Sequence, residues 1–249
     1  MKVLLSIVFA FVLSLTALAA ESKQVTYKSG DDTVTAMLYT PAGKGPFPAL
    51  VVIHEWWGLN DWVKEQASKL ADQGYASLAI DLYRGKVATS PDEAHEIMRG
   101  LPEDRVRRDL LAAFNYLASQ KNVDPKKIGS IGWCMGGGYS LMLALNEPRL
   151  AASVINYGRL ATEPDELKKI NASILGIFGG QDRGIPVDSV RKFEQQLKQM
   201  GKTVEIHIYP DAGHAFENEN NKAGYREADT KEAWQKTTAF LQKHLSAAK

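Results

Sequence analysis

The chain is predicted to fold as a single α/β domain, a mostly parallel central sheet with helices on both faces. Three observations predict it. Short apolar runs alternate with amphipathic helical stretches along most of the chain. The run Ala49–Ile53 is apolar at every position, as expected of a parallel strand buried on both faces. Without its first 20 residues the chain keeps about 229, a length that suits one large domain better than two.

The elements follow in order. Residues 1–20 read as a secretory signal: Lys2 is the basic start, Val3–Leu15 the apolar segment, and Ala17-Leu18-Ala19-Ala20 the small-residue cleavage region. The chain is therefore expected to be secreted or periplasmic, with residues 21–249 forming the mature domain. Gln24–Tyr27 and Thr33–Tyr39 are β-rich and flank Ser29-Gly30-Asp31-Asp32, which predicts a hairpin. After Ala49–Ile53 comes a helical pattern over Asp61–Gln73 that ends at Gly74, then a strand over Tyr75–Ile80. Helices are predicted at Pro91–Arg99 and Glu103–Ser119, separated by Gly100-Leu101-Pro102. A strand around Ile128–Ile131, a helix around Tyr139–Leu145 and a strand over Ala151–Tyr157 come next. The remainder reads as a strand at Ser173–Phe178, a helix at Val187–Met200, a strand at Thr203–Tyr209 and a closing helix near Arg226–Leu245. No loop is long enough to make a separate lid domain.

Composition narrows the function classes. The 30 basic residues less Lys2 leave 29 against 29 acidic ones, so no basic surface for nucleic acid is indicated. No later segment approaches a membrane span, and no membrane association is expected once the signal is removed. Cys134 is the only cysteine, which rules out an internal disulfide and makes an exported thiol either reactive or buried. The histidines show no metal-ligand spacing, so neither metal nor cofactor is expected.

The chemistry centres on Gly132-Trp133-Cys134-Met135-Gly136, placed between a predicted strand and a predicted helix. A G-x-S-x-G turn in that setting lifts its nucleophile above the sheet edge; here the nucleophile is a thiol. A thiol nucleophile needs a base, and the base needs an orienting acid. Asp182 follows the strand ending at Phe178, and His214 follows the strand ending at Tyr209, so both belong to the edge that carries Cys134. The order nucleophile, acid, histidine is that of the α/β-hydrolase fold. Asp211 is a weaker rival for the acid, and Asp188 reads as a helix cap. The loop His54-Glu55-Trp56-Trp57-Gly58 follows the strand ending at Ile53. Its Trp56 amide, with that of Met135, is expected to form the oxyanion hole. Glu55 is unexpected there, because a carboxylate beside a thiol opposes thiolate formation. The other reading is a loop carboxylate bonded to backbone amides or to an arginine.

Glu55-x-x-Gly58-x-Asn60, Asp81-Leu82-Tyr83, Gly132-x-Cys134-x-Gly136-Gly137, Tyr157-Gly158, Gly180-x-Asp182 and Gly213-His214-x-Phe216 together resemble the dienelactone hydrolase family. The resemblance covers nearly the whole mature chain. It implies a minimal α/β-hydrolase fold and a Cys134–His214–Asp182 triad that cleaves an ester or lactone through an acyl-enzyme. It also implies that Glu55 bonds the resting thiol and helps take its proton when substrate binds. Tyr83, Arg84, Tyr157 and Asn218 fall at candidate substrate-binding positions. Members specific for dienelactone hold the substrate carboxylate with two arginines. Arg84 is placed to serve as one, but Asn218 stands where the second would be. A general esterase or thioesterase, or a silent hydrolase-fold binding protein, remains the alternative. The expected partner is a small ester or lactone, and the chain is expected to act as a monomer.

Overall fold

The computed structural model describes residues 20–245. The expected signal segment, apart from Ala20, lies outside the described residues. The chain opens with β1 (Glu21–Ser29) and β2 (Asp32–Thr40), an antiparallel hairpin paired from Glu21↔Thr40 to Ser29↔Asp32. Gly30 turns it with φ +60°, a conformation that suits a residue without Cβ. Then follow β3 (Phe47–Ile53), α1 (Asp61–Asp72), β4 (Ala76–Ile80), α2 (Pro91–Arg99), α3 (Glu103–Ala118), β5 (Val123–Trp133) and α4 (Met135–Asn146). The last third holds β6 (Ala152–Asn156), α5 (Pro164–Leu167), β7 (Ser173–Gly179), α6 (Val187–Gln199), β8 (Val204–Tyr209) and α7 (Glu227–Leu245). One eight-stranded sheet runs in the order β1-β2-β4-β3-β5-β6-β7-β8. It is antiparallel at β1–β2 and β2–β4 and parallel from β4 to β8. This is the α/β-hydrolase architecture expected from the sequence, and no lid domain interrupts it.

Alternation along the central strands splits the core between the two faces. Ala49, Val51 and Ile53 of β3 pack with Val106, Leu110 and Phe114 of α3 and with Leu141 and Phe193. Leu50 and Val52 pack on the opposite face with Trp62, Val63 and Leu70 of α1 and with Phe240 and Leu241 of α7. Every residue of β3 from Ala49 to Ile53 is fully buried, which explains the unbroken apolar run.

Three elements differ from the sequence expectation. β5 begins at Val123, because Phe47 pairs with Val123 before a register shift brings Ala49 to Ile128. The polar stretch Asp124–Lys127 hid that first segment. α4 begins at Met135 and includes Gly136-Gly137-Gly138, poor helix formers that are fixed there by tertiary approach. A Cβ on Gly136 would collide with the Ile53 carbonyl, and one on Gly137 would meet the Asn156 carbonyl. α5 is a single short turn that carries no periodic signal. Buried hydroxyls fasten α4 to the sheet: Ser140 Oγ lies 2.8 Å from both Ser130 Oγ of β5 and Ser153 Oγ of β6. Asp188 does not cap α6, whose N-cap is Pro186 with no side-chain bond.

Candidate active site

Cys134 stands between β5 and α4 with φ 55° and ψ −117°, a strained backbone for a residue with a Cβ. Gly132 and Gly136 make the turn possible, since a Cβ on Gly132 would overlap the Gly136 carbonyl. Cys134 N–H donates to Asn156 O at 3.0 Å, which ties the elbow to the end of β6. The half-buried thiol is thereby held at the N-terminus of α4, where first-turn amides and the helix dipole favour negative charge.

His214 and Asp182 meet at this point. His214 Nδ1 lies 2.6 Å from Asp182 Oδ2. Asp182 Oδ1 accepts from the amides of Gly184 (2.8 Å) and Ile185 (3.2 Å), so both carboxylate oxygens are engaged. Burial alone would raise the Asp182 carboxyl, but the bond to His214 and these two amides hold it below its ordinary value. Burial works against charge on His214, yet its bonds to Asp182 and to the Cys134 side chain push it up to about 10. The rival acid Asp211 is not a partner of His214. Behind the imidazole, the Tyr157 ring stands edge-on at 5.3 Å between centroids and also packs on Phe216.

Glu55 is buried and its Oε2 accepts from Asn218 Nδ2 at 2.6 Å. Burial pushes its carboxyl up to about 7, although the Asn218 bond and the His214 charge favour the anion. The partner is thus neither a backbone amide nor an arginine. The loop after β3 is latched here to the loop after β8. His54, whose role the sequence did not disclose, fixes the other side of Glu55. Its Nδ1 lies 2.6 Å from Glu55 O, and its Nε2 accepts from Leu82 N–H at 3.2 Å. That arrangement requires the tautomer protonated at Nδ1, and burial lowers the pKa of the ring so that it stays neutral.

Cys134, His214, Glu55 and Asn218 open into one cleft of about 1380 Å³, with Trp56, Trp57 and Met135 on its wall. Trp56 and Met135, whose amides are expected to form the oxyanion hole, thus line the same cleft as Cys134. Of the other candidate binding residues, Tyr83, Arg84 and Tyr157 do not line it. Arg84 has φ 56° and turns away; its guanidinium donates to Asp109 Oδ2 at 2.7 Å and to Asp81 O at 3.3 Å. Arg84, expected to hold a substrate anion, is thus paired with Asp109, which is completely buried. Tyr83 is also buried, with its hydroxyl 3.3 Å from Met135 Sδ, so it braces the first residue of α4. Tyr157 supports the His214 ring from the protein side. Cleft cations do occur elsewhere, at Arg107, Arg159, Lys169 and Lys222, interspersed with Glu103, Glu163 and Glu166. Among the described residues no cluster of His, Cys, Asp and Glu could hold a metal ion, and no helix is long and apolar enough to cross a membrane.

A family model described as the dienelactone hydrolase family matches residues 34–245, nearly all of the described chain. The chain belongs to the dienelactone hydrolase family. A protein of Methylorubrum extorquens provisionally named carboxymethylenebutenolidase is 29% identical, with 96% of this chain and 90% of that protein covered. A protein of Salmonella typhimurium under the same provisional name is 32% identical, with 83% of this chain and 81% of the relative covered. Among solved structures, one described as a dienelactone hydrolase from Klebsiella pneumoniae superposes with a TM-score of 0.83. It is 28% identical, and the match covers 91% of this chain and all of the other. The chain is a carboxylic ester hydrolase of this family, similar to carboxymethylenebutenolidases.

Proposed function

We propose that the protein hydrolyses a small carboxylic ester or lactone through a thioester acyl-enzyme formed on Cys134. The observation that carries this reading is the strained thiol at the head of α4, in the same cleft as the 2.6 Å His214–Asp182 pair. His214 takes the Cys134 proton, and Asp182 stabilises the imidazolium that results. The sulfur attacks the carbonyl carbon, and the carbonyl oxygen becomes an oxyanion facing the Trp56 and Met135 amides. Loss of one such donor costs roughly 3 kcal/mol in the barrier. The tetrahedral intermediate collapses, the C–O bond breaks, and His214 returns its proton to the leaving oxygen. Water, deprotonated by His214, then cleaves the thioester and frees the acid and the thiol.

Glu55 tunes the first step. As a carboxylate it opposes thiolate formation in the same cleft; as a neutral acid it does not. With its carboxyl near neutrality it can exchange a proton within the cleft at physiological pH. The substrate we infer carries no obligatory anion. Arg84 is committed to Asp109, Asn218 to Glu55, and the remaining cleft cations alternate with glutamates. Export through residues 1–20 and action as a monomer belong to the same reading; N-terminal sequencing and sedimentation of the protein from its native host test them.

The decisive experiment is a substrate panel run with the native protein and Cys134→Ala. Neutral activated esters are expected to turn over at least as well as carboxylate-bearing lactones, and Cys134→Ala is expected to lose turnover of both. Retention of activity by Cys134→Ala would sink the mechanism, while a strong preference for the anionic lactone would sink the substrate assignment alone.

A further inference from the structure

We propose that the outer face of α4 is the floor of an acyl-binding trough, and that the ester cleaved at Cys134 carries an aliphatic acyl chain of medium length; this rests on the reading of Cys134 and His214 given above. Met135, Gly138, Met142 and Leu145 recur at steps of three, four and three, which sets them in one row along the helix. All four line the cleft that holds the sulfur. Gly137, Ser140 and Ala144, in the row that faces the sheet, are buried, whereas Met135, Met142 and Leu145 are only partly so. Met98 and Leu101 follow β4, and Leu160 and Ala161 follow β6; they line the same cleft and flank α4 on the two sides set by the strand order. At about 1380 Å³ the cleft exceeds the roughly 300–1,000 Å³ of an ordinary small-molecule site, so a one-ring lactone leaves most of it empty. At about 1.5 Å per residue the row from Met135 to Leu145 runs for about 15 Å, room for an extended chain of about ten carbons.

The strand order decides which half of the ester lies there. His214 hands its proton to the leaving oxygen, so the alcohol faces the histidine. His214 follows β8, and its loop lines the cleft with Asn218, Asn220, Asn221 and Lys222, a polar set. The oxyanion turns to the amides expected at Trp56 and Met135. The acyl substituent takes the remaining direction, over α4, where the lining is apolar. Met98 and Leu101 agree with this placement. They follow β4, which lies across β3 from β5, so they stand on the far side of Cys134 from the histidine loop. The exposed residues at the margin, Glu103 and Arg107 of α3 with Glu163, Glu166 and Lys169 around α5, are of both signs. No single charge is therefore selected on the chain, and apolar contact along α4 is what holds it.

The test measures kcat/KM for p-nitrophenyl acetate, butyrate, octanoate and decanoate with the native protein, Met142→Glu, Met142→Trp and Met142→Leu. A parallel series of ethyl, butyl and octyl acetates lengthens the alcohol instead. A methylene covered on one side gains about half of its full transfer energy, so each should raise native kcat/KM about twofold, or about sixtyfold from acetate to octanoate. The gain should fall in KM with kcat nearly level, because the chain is held alike before and during reaction. Met142→Glu sets a charge on the floor and Met142→Trp fills it. Both should lower the octanoate-to-acetate ratio about tenfold, and Met142→Leu should keep it. The alcohol series should stay flat. Calorimetric titration with octanamide against acetamide reads the trough without turnover, and Met142→Glu should weaken octanamide alone. A flat acyl series from a protein that cleaves the acetate overturns the trough and leaves the hydrolase reading standing. A rise along the alcohol series in place of the acyl series overturns the assignment to the acyl chain. Octanamide binding that depends on Met142 in a protein that cleaves no ester would support the trough and sink the reaction instead.

Discussion

At the residue scale, the strain in the backbone marks the working edge of the sheet. Among the described residues four non-glycines have positive φ: Arg84, Cys134, Tyr157 and Ala215. They follow β4, β5, β6 and β8, and three of them touch or form the site; only Arg84 turns its side chain elsewhere. Such conformations cost of order 1–3 kcal/mol each and persist where the surroundings over-determine them. Cys134, Asp182 and His214 were legible because each follows a strand and their order is distinctive. The fate of Arg84 was not, since its partner Asp109 is 25 residues away on a helix and only packing brings them together. Nor was the pairing of Glu55 with Asn218, which joins positions 163 residues apart. Glu55→Gln keeps an acceptor for Asn218 but cannot carry charge. Its Cys134 should therefore be alkylated and oxidised faster above about pH 7 than the native thiol. Identical alkylation rates across that range would remove Glu55 from control of the thiol.

At the scale of elements, Cys134 is placed by α4, and α4 is placed by close contacts that tolerate no added atom. Gly136→Ala would drive a methyl into the carbonyls of Ile53 and His54, backbone atoms of β3 and the loop after it that have little room to yield. A loss of about 3 kcal/mol or more in unfolding free energy is expected, measured by urea titration. The triple glycine masked the start of this helix because helix propensity speaks against it; tertiary contact overrides propensity there. Elements with a clean period, such as α1, α3 and α7, were legible to within a residue or two. The first segment of β5 was not, because its polar residues lie within a register shift that no local pattern announces.

At the scale of the whole molecule, the site's buried acids make stability depend on pH. Glu55 and Glu217 have folded pKa values raised to about 7 and about 8, so between their ordinary values and these the folded state binds more protons than the unfolded state. Stability must then fall as pH rises through that window, by on the order of a few kcal/mol in all. His214 adds to the same trend: its raised pKa stabilises the fold below its ordinary value, an effect lost as pH climbs towards about 10. Asp182 acts in the opposite sense, its contribution being lost on acidification through its lowered pKa. Thermal melts from about pH 5 to pH 9 should show a falling midpoint, flattened in Glu217→Gln. A midpoint that rises across this range would contradict the placement of both glutamates. The architecture itself was legible at this scale, because alternating strands and helices leave few ways to cover a sheet on both faces. One detail of it reaches further. Strand pairing among the described residues begins with Glu21 against Thr40, at the boundary of the expected leader. Among the described residues the hairpin is complete from Glu21 onward, so its register is set by the mature segment itself.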